Sequence, residues 1–452
     1  ESESTAKAYA NDQGANEGSV EVSKHEPRKQ RIAVISILAL VALGLVIGGF
    51  TFIMKGGDGQ GPLAFLASMT PTPSPTATYT STMTPSATPS MTPSLMPTLT
   101  NTPRPTNTPT PVPQFAWISE VLHQEQSIGY WTSLVIDNND EIHVTYFQDN
   151  YDMVWYAYTE NGQWESRQKV RGGIGGGFNT SLSLDSEGYP HIAYNSYKSK
   201  RSTSRLYYDF WDGSQWKGYF RNLDYKLWTY ADLSVALGPD DVPHFVFMED
   251  YANNVVYSTY EGGRFENHVV GKGIKNSPSL PLVIDESRNP RLVFQHADDG
   301  LVYATLRAGT WQWEIVDRSS GAGIFSDLAL DSSGNPHIAY YKGDDTNLYY
   351  AYKSGEDWEI QLIDDDGDVG YFASIEVGSK GHIHIAYQDV SENNLKYAHG
   401  RNGNWDIYLV DDNGDVGSFL SLGVDSKGIP YISYQDMERE DLKFARGMPK
   451  AP

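Results

Sequence analysis

The chain of 452 residues contains no cysteine. That excludes a disulfide framework, a thiolate metal site and thiol catalysis. Basic residues are scarce, with 34 Lys and Arg against 57 Asp and Glu and a formal net charge of −23. Phosphate binding needs a basic footprint, so nucleic acid is excluded as a partner. Long apolar runs are absent except for one, and half of the 24 prolines fall in a single stretch. Aromatic residues are plentiful instead: 30 Tyr and 11 Trp give a composition suited to sheets with much to bury.

Four unlike pieces follow one another. Residues 1–31 are polar and lack apolar periodicity, which predicts a disordered tail. The one apolar run, Ile32 to Met54, has 23 residues and no charge. As a helix it would extend about 34 Å, enough to cross a bilayer core of about 30 Å. A signal peptide would have a shorter apolar core and would not follow a long polar tail. Arg28, Lys29 and Arg31 precede the run, whereas only Lys55 follows closely. The positive-inside rule therefore predicts a cytoplasmic N-terminus and an extracytoplasmic remainder. Gly44 and Gly48 are spaced for close contact with another membrane helix.

Residues 55–114 form a juxtamembrane segment and a stalk. Thr70 to Pro113 holds 12 prolines in 44 residues, mostly as Thr-Pro and Ser-Pro pairs. Such a stretch favours extended polyproline II, with a fullest reach on the order of 140 Å. It is expected to be a spacer.

Residues 115–447 carry an internal repeat, followed by a short tail at 448–452. Seven copies of S-L-x-L-D-x-x-G-x-P-H-I-x-Y begin at Ser133, Ser181, Ser234, Pro281, Asp327, Ser374 and Ser421. Each continues through a polar loop into L-x-Y-A, a turn and W-x-x-x-x-V. Spacings of 46 to 53 residues with four strand signals per copy are the signature of β-propeller blades. The seventh copy stops at Gly447 without a fourth strand. Trp117-Ile-Ser-Glu-Val-Leu122 has the spacing of that missing strand and stands before the first copy. The expectation is an all-β, seven-bladed propeller in which the N-terminal strand completes the last blade.

Repeated columns are assigned to structure first. His143, His191, His244, His337 and His384 occupy one strand position, with Arg291 and Tyr431 as exceptions. One residue per blade reads as packing rather than as a converging metal site. The Asp column (Asp137, Asp185, Asp285, Asp331, Asp425) suits a hairpin turn.

Function is expected where loops vary on one face of the ring. The loops between second and third strands supply Asp149, Asp250, Gln388, Asp389, Gln435 and Asp436, and the blade-to-blade loops supply Trp131, Phe325, Tyr371, Phe372 and Phe419. Amides, carboxylates and rings together suit sugar hydroxyls or a polar protein surface. Two loops also resemble calcium ligand runs. They offer Asp364, Asp366 and Asp368, and Asp411, Asn413 and Asp415, but lack the distal glutamate of an EF-hand.

In repeat length and closure, residues 115–447 resemble the sialidase-like and NHL-like group of bacterial extracellular propellers. The S-x-D-x-G-x-T-W boxes of sialidases are missing, which puts that activity in doubt. The order of tail, span, Thr-Pro stalk and propeller resembles surface proteins of filamentous bacteria. The reading is a membrane-anchored recognition or scaffolding module for a glycan or protein, with no cofactor beyond calcium in those two loops. Two alternatives stand beside it: a carbohydrate-active hydrolase or lyase using Asp149 and Asp389, and an accessory subunit of a membrane complex packing through Gly44 and Gly48.

Overall fold

The computed structural model describes residues 114–450, apart from 166, 173–177, 197–204, 223–232, 250–253, 273–278 and 402. The expected tail, span and stalk lie outside the described residues, as does Asp250. Among the described residues no helix is long and apolar enough to cross a membrane.

Seven antiparallel sheets follow the repeat, each with an inner, a second, a third and an outer strand. Blade one contains Ile128–Ile136, Ile142–Gln148 and Met153–Glu160, and its outer strand is split into Gln163–Trp164 and Gln168–Gly172. Blade six is more regular, with Val369–Val377, Ile383–Asp389, Asn394–Arg401 and Asn404–Asp411. The second strands Ile142–Gln148, Ile383–Asp389 and Pro430–Asp436 are buried at every position. A blade has neighbours on both faces, so its middle strands need not alternate apolar with polar.

In five blades the hairpin between inner and second strands is fixed by an aspartate; Gly238 and Gly378 take its place in blades three and six. Asp185 accepts from the Glu187 and Tyr189 amides at 3.0 and 2.8 Å, and Asp425 accepts from Lys427 and Ile429 at 3.0 and 2.8 Å. The histidine column extends the same device. His143, His191 and His384 each place Nδ1 2.5 Å from a tyrosine hydroxyl of the third strand, Tyr156, Tyr208 and Tyr397. Arg291 substitutes for histidine by spanning Asp285 and the Tyr303 hydroxyl. Burial lowers the pKa of each of these histidines and favours the neutral ring.

The first serine of the repeat joins blades. Ser133 accepts from the Leu182 amide at 3.0 Å, Ser181 from Val235 at 3.0 Å, and Ser421 from Leu134 at 3.0 Å. Asp327 replaces serine in blade five and accepts from the Ile375 amide at 2.9 Å. Blade seven closes the ring. Its inner, second and third strands, Val416–Val424, Pro430–Asp436 and Asp441–Pro449, are joined by Phe115–His123 as outer strand. Trp117 lies opposite Gly447 and Glu120 opposite Phe444. The third strand runs two residues past Gly447, to Pro449, and the Lys450 amide donates to the Gln114 carbonyl at 2.7 Å.

Candidate functional site: an aromatic arc on the loop face

The inner strands begin on the face that also carries the second-to-third loops. Four of them open with Gly-x-aromatic: Gly129-Tyr130-Trp131, Gly323-Ile324-Phe325, Gly370-Tyr371-Phe372 and Gly417-Ser418-Phe419. The glycines have φ between 86° and 109°. A Cβ on Gly129, Gly370 or Gly417 would lie 3.0, 3.1 or 3.2 Å from the Cα of the third-strand leucine in the preceding blade. Glycine is required there because the chain crosses a neighbour's backbone at close range.

The aromatic residue two positions on is also left-handed, with φ of 46° at Trp131, 48° at Phe325 and 52° at both Phe372 and Phe419. The ladder skips register at these points. Such backbone costs about 1–2 kcal/mol per residue for a side chain with a Cβ. In return the rings turn toward one another. Trp131 and Phe419 centroids are 4.8 Å apart, Phe419 and Phe372 4.9 Å, and Phe372 and Phe325 4.8 Å. The result is a continuous arc over blades five, six, seven and one.

Tyr371 packs on Phe325 at 4.9 Å and Tyr341 on Tyr371 at 4.5 Å, while Tyr130 packs on Phe419 at 5.6 Å. Phe419 is buried, whereas Trp131, Phe325, Tyr371 and Phe372 keep part of their surface in solvent. In blade two the position belongs to Asn179, also left-handed at φ 56°. The arc is therefore one-sided.

Two half-buried carboxylates border it. Asp368 accepts from the Tyr341 hydroxyl at 2.9 Å, and burial, with Asp389 nearby, raises its pKa. Asp415 is raised by burial and by Asp436 and Glu438. A carboxylate at such a border accepts hydrogen bonds from hydroxyl groups.

The remaining polar candidates turn inward. Gln435 is fully buried and donates to the Ile128 carbonyl at 2.8 Å; Gln388 donates to the Val416 carbonyl at 3.3 Å. Both amides clamp the start of the next blade and are not presented to a ligand. Asp389 is 2 % exposed and ion-pairs with Lys396 at 3.1 Å, while Asp436 is buried against Arg439 at 2.7 Å. Asp149 is exposed on the turn Asp149–Tyr151. It belongs to blade one and Asp389 to blade six, with blade seven between them. The structure does not bring these two carboxylates together as a catalytic pair.

The calcium reading meets a specific obstacle. Asp364 receives Lys396 at 3.1 Å and the Tyr387 hydroxyl at 2.6 Å, and Asp411 receives Lys443 at 2.5 Å and the Tyr434 hydroxyl at 2.5 Å. Arg439 reaches the Asn413 carbonyl at 2.7 Å. These carboxylates are already matched by protein cations, and the exposed Asp366 meets Asp364 through its backbone amide, which donates to the Asp364 carboxylate at 3.1 Å. Among the described residues no three His, Asp or Glu side chains are grouped to hold a metal ion.

No family model and no curated protein matches the chain. Solved structures do match. A virginiamycin B lyase from Staphylococcus aureus is 10% identical with a TM-score of 0.50, covering 74% of this chain and 99% of that one. A Hadza microbial sialidase is 12% identical with a TM-score of 0.46, covering 72% and 66%. A fucose-recognising, six-bladed lectin from Aleuria aurantia is 15% identical with a TM-score of 0.45, covering 64% and 96%. What is shared is the propeller fold. At these identities the likeness says nothing of ligand or chemistry.

Proposed function

We propose that this protein is a membrane-anchored, extracytoplasmic recognition module whose propeller binds a glycan across the arc Trp131, Phe419, Phe372 and Phe325. The observation that carries the reading is the same unfavourable backbone state at the same register in four successive blades, each time under an aromatic residue that keeps company with the next. Strained positions that recur in this way are drawn from functional surfaces. Ring faces stack on sugar C–H surfaces, and Asp368 and Asp415 supply hydroxyl partners at the border. Anchoring is supported by the uncharged run Ile32 to Met54 with its basic N-terminal flank, and the stalk holds the head away from the bilayer.

The test is a glycan array read with the full chain in detergent. Trp131→Ala combined with Phe372→Ala is expected to weaken binding about 10- to 100-fold, since each ring contact contributes about 0.5–1.5 kcal/mol. The same glycans bound equally by the double variant would remove the arc from the site. Release of shortened product from the array would replace binding with hydrolysis or elimination.

A further inference from the structure

The circumference of the propeller is made of outer strands, and its two sides differ in charge. The outer strands of blades one to three are Gln168–Gly172, Trp216–Asn222 and Arg264–Gly271. They hold Lys169, Arg171, Lys217, Arg221 and Arg264, against the single acid Glu266. The outer strands of blades four to seven are Thr310–Asp317, Asp357–Asp364, Asn404–Asp411 and Phe115–His123. They hold no Lys or Arg, and Glu120, Glu314, Asp357, Glu359 and Asp406 lie among their acids. In a protein of net charge −23 this segregation sets one edge apart from the rest, with Arg171 held by Asp209 and Lys217 by Asp212 at 3.3 Å, and with Glu314 on the acidic side held by Lys353 at 2.6 Å.

Both sides also expose large apolar groups. Blade two presents Tyr219 and Phe220, at 43% and 52% exposure, with Arg205 stacked over Phe220 at 5.0 Å. Blades five and six present Ile360, Leu362, Ile407 and Leu409, between 42% and 52% exposed. Burial of such groups is favourable wherever a matching surface exists. Each outer strand also has a neighbour on one side only, so its other edge is a template for strand pairing.

Position decides the partner. In a ring of seven blades, the point opposite blade two falls between blades five and six. The basic aromatic edge and the acidic aliphatic edge therefore stand at opposite ends of one diameter. We propose that the two edges are complementary halves of one contact, through which copies of this chain join side by side. The contact is heterologous: one copy's Lys217, Tyr219 and Phe220 meet the next copy's Leu362, Leu409 and Glu359. A heterologous contact across a diameter does not close as a dimer; it leaves each partner with one open edge and extends into a row. The loop face stays clear, since the arc opens along the axis and the contact lies on the circumference.

Sedimentation of the full chain in detergent tests this. The wild-type mass should rise with concentration in multiples of the monomer. It should fall back in 1 M salt, where screening shortens to about 3 Å from about 10 Å at 0.1 M. Leu362→Lys with Leu409→Lys damages one edge, and Lys217→Glu with Phe220→Glu damages the other. All four positions avoid the buried core, so folding should be kept, as read by an unchanged melting temperature and unchanged binding at the arc. Each double variant alone should be monomeric. Mixed one to one, they should form a dimer that grows no further, because each retains the edge that the other lacks. A wild type that stays monomeric at every concentration would overturn the proposal. So would a mixture that fails to dimerise, or a closed dimer that either variant alone still forms. A monomeric wild type that instead binds anionic phosphatidylglycerol vesicles, and loses that binding in Lys217→Glu with Phe220→Glu, would give the basic edge to a membrane surface.

Discussion

Lys396 lies 3.1 Å from both Asp364 of blade five and Asp389 of blade six. Lys443 repeats the arrangement one blade on, 2.5 Å from Asp411 and 4.0 Å from Asp436. Both lysines are largely buried, so each neutralises two carboxylates that water cannot. Removing the shared cation should therefore hurt more than removing one anion. Lys396→Met is expected to destabilise the propeller by about 3–5 kcal/mol, because it strands two buried charges. Asp389→Asn, which leaves Lys396 paired with Asp364, should lower stability by less. Urea denaturation of the two variants checks the order, and equal midpoints would remove the shared-cation account. None of this was readable from the sequence, where Asp389 and Asp436 stand beside turn residues and look like loop acids. Strand register shows which residues reach a loop; it does not show which way a carboxylate turns when a lysine of the next strand is within reach.

At the scale of the strand, the repeat was a reliable guide wherever one residue served every blade. The hairpin aspartate and the buried histidine, each recurring in five of the seven copies, and the closing strand at Trp117 were all legible, because the copies repeat a local solution. The arc was legible in residues and not in cause. Trp131, Phe325, Phe372 and Phe419 could be placed on the loop face. The signal for their geometry was the glycine two positions earlier, Gly323, Gly370 and Gly417 recurring every 47 residues. What a pattern of strands omits is the bulge that rotates each ring toward its neighbour. The closing strand yields a prediction of its own. Phe115 and Trp117 pack on Tyr397 of blade six at 6.0 and 4.8 Å. A chain beginning at Ser127 loses both rings and leaves Asp441–Pro449 unpaired on its outer side. It should be less stable by at least about 3–5 kcal/mol, whereas a chain beginning at Pro113 should melt as the full chain does. Equal melting temperatures for starts at Pro113 and Ser127 would show that the ring closes without that strand.

At the scale of the whole molecule, the propeller's termini meet in one blade. The chain enters blade seven at Phe115 and leaves it at Pro449, in adjacent strands at the seam of the ring. Under the proposed anchoring, a Thr-Pro stretch with an extended reach on the order of 140 Å would let a head search a wide zone while confining it near its neighbours. Confinement raises the effective concentration of like heads, the condition under which a weak edge contact becomes occupied. All of this depends on the head being outside. Arg28, Lys29 and Arg31 flank the apolar run on one side, and Lys55 with a Gly-rich stretch containing Asp58 flanks it on the other. Orientation follows the basic flank. Under the proposed orientation, protease added to intact cells should cut ahead of Phe115 and release the propeller as a folded fragment, since its blades are closed by backbone pairing. An epitope fused ahead of Glu1 should survive the same treatment. Permeabilised cells should lose both. If the propeller resists protease until the membrane is opened, the orientation is reversed, and the arc would have to find its ligand in the cytoplasm.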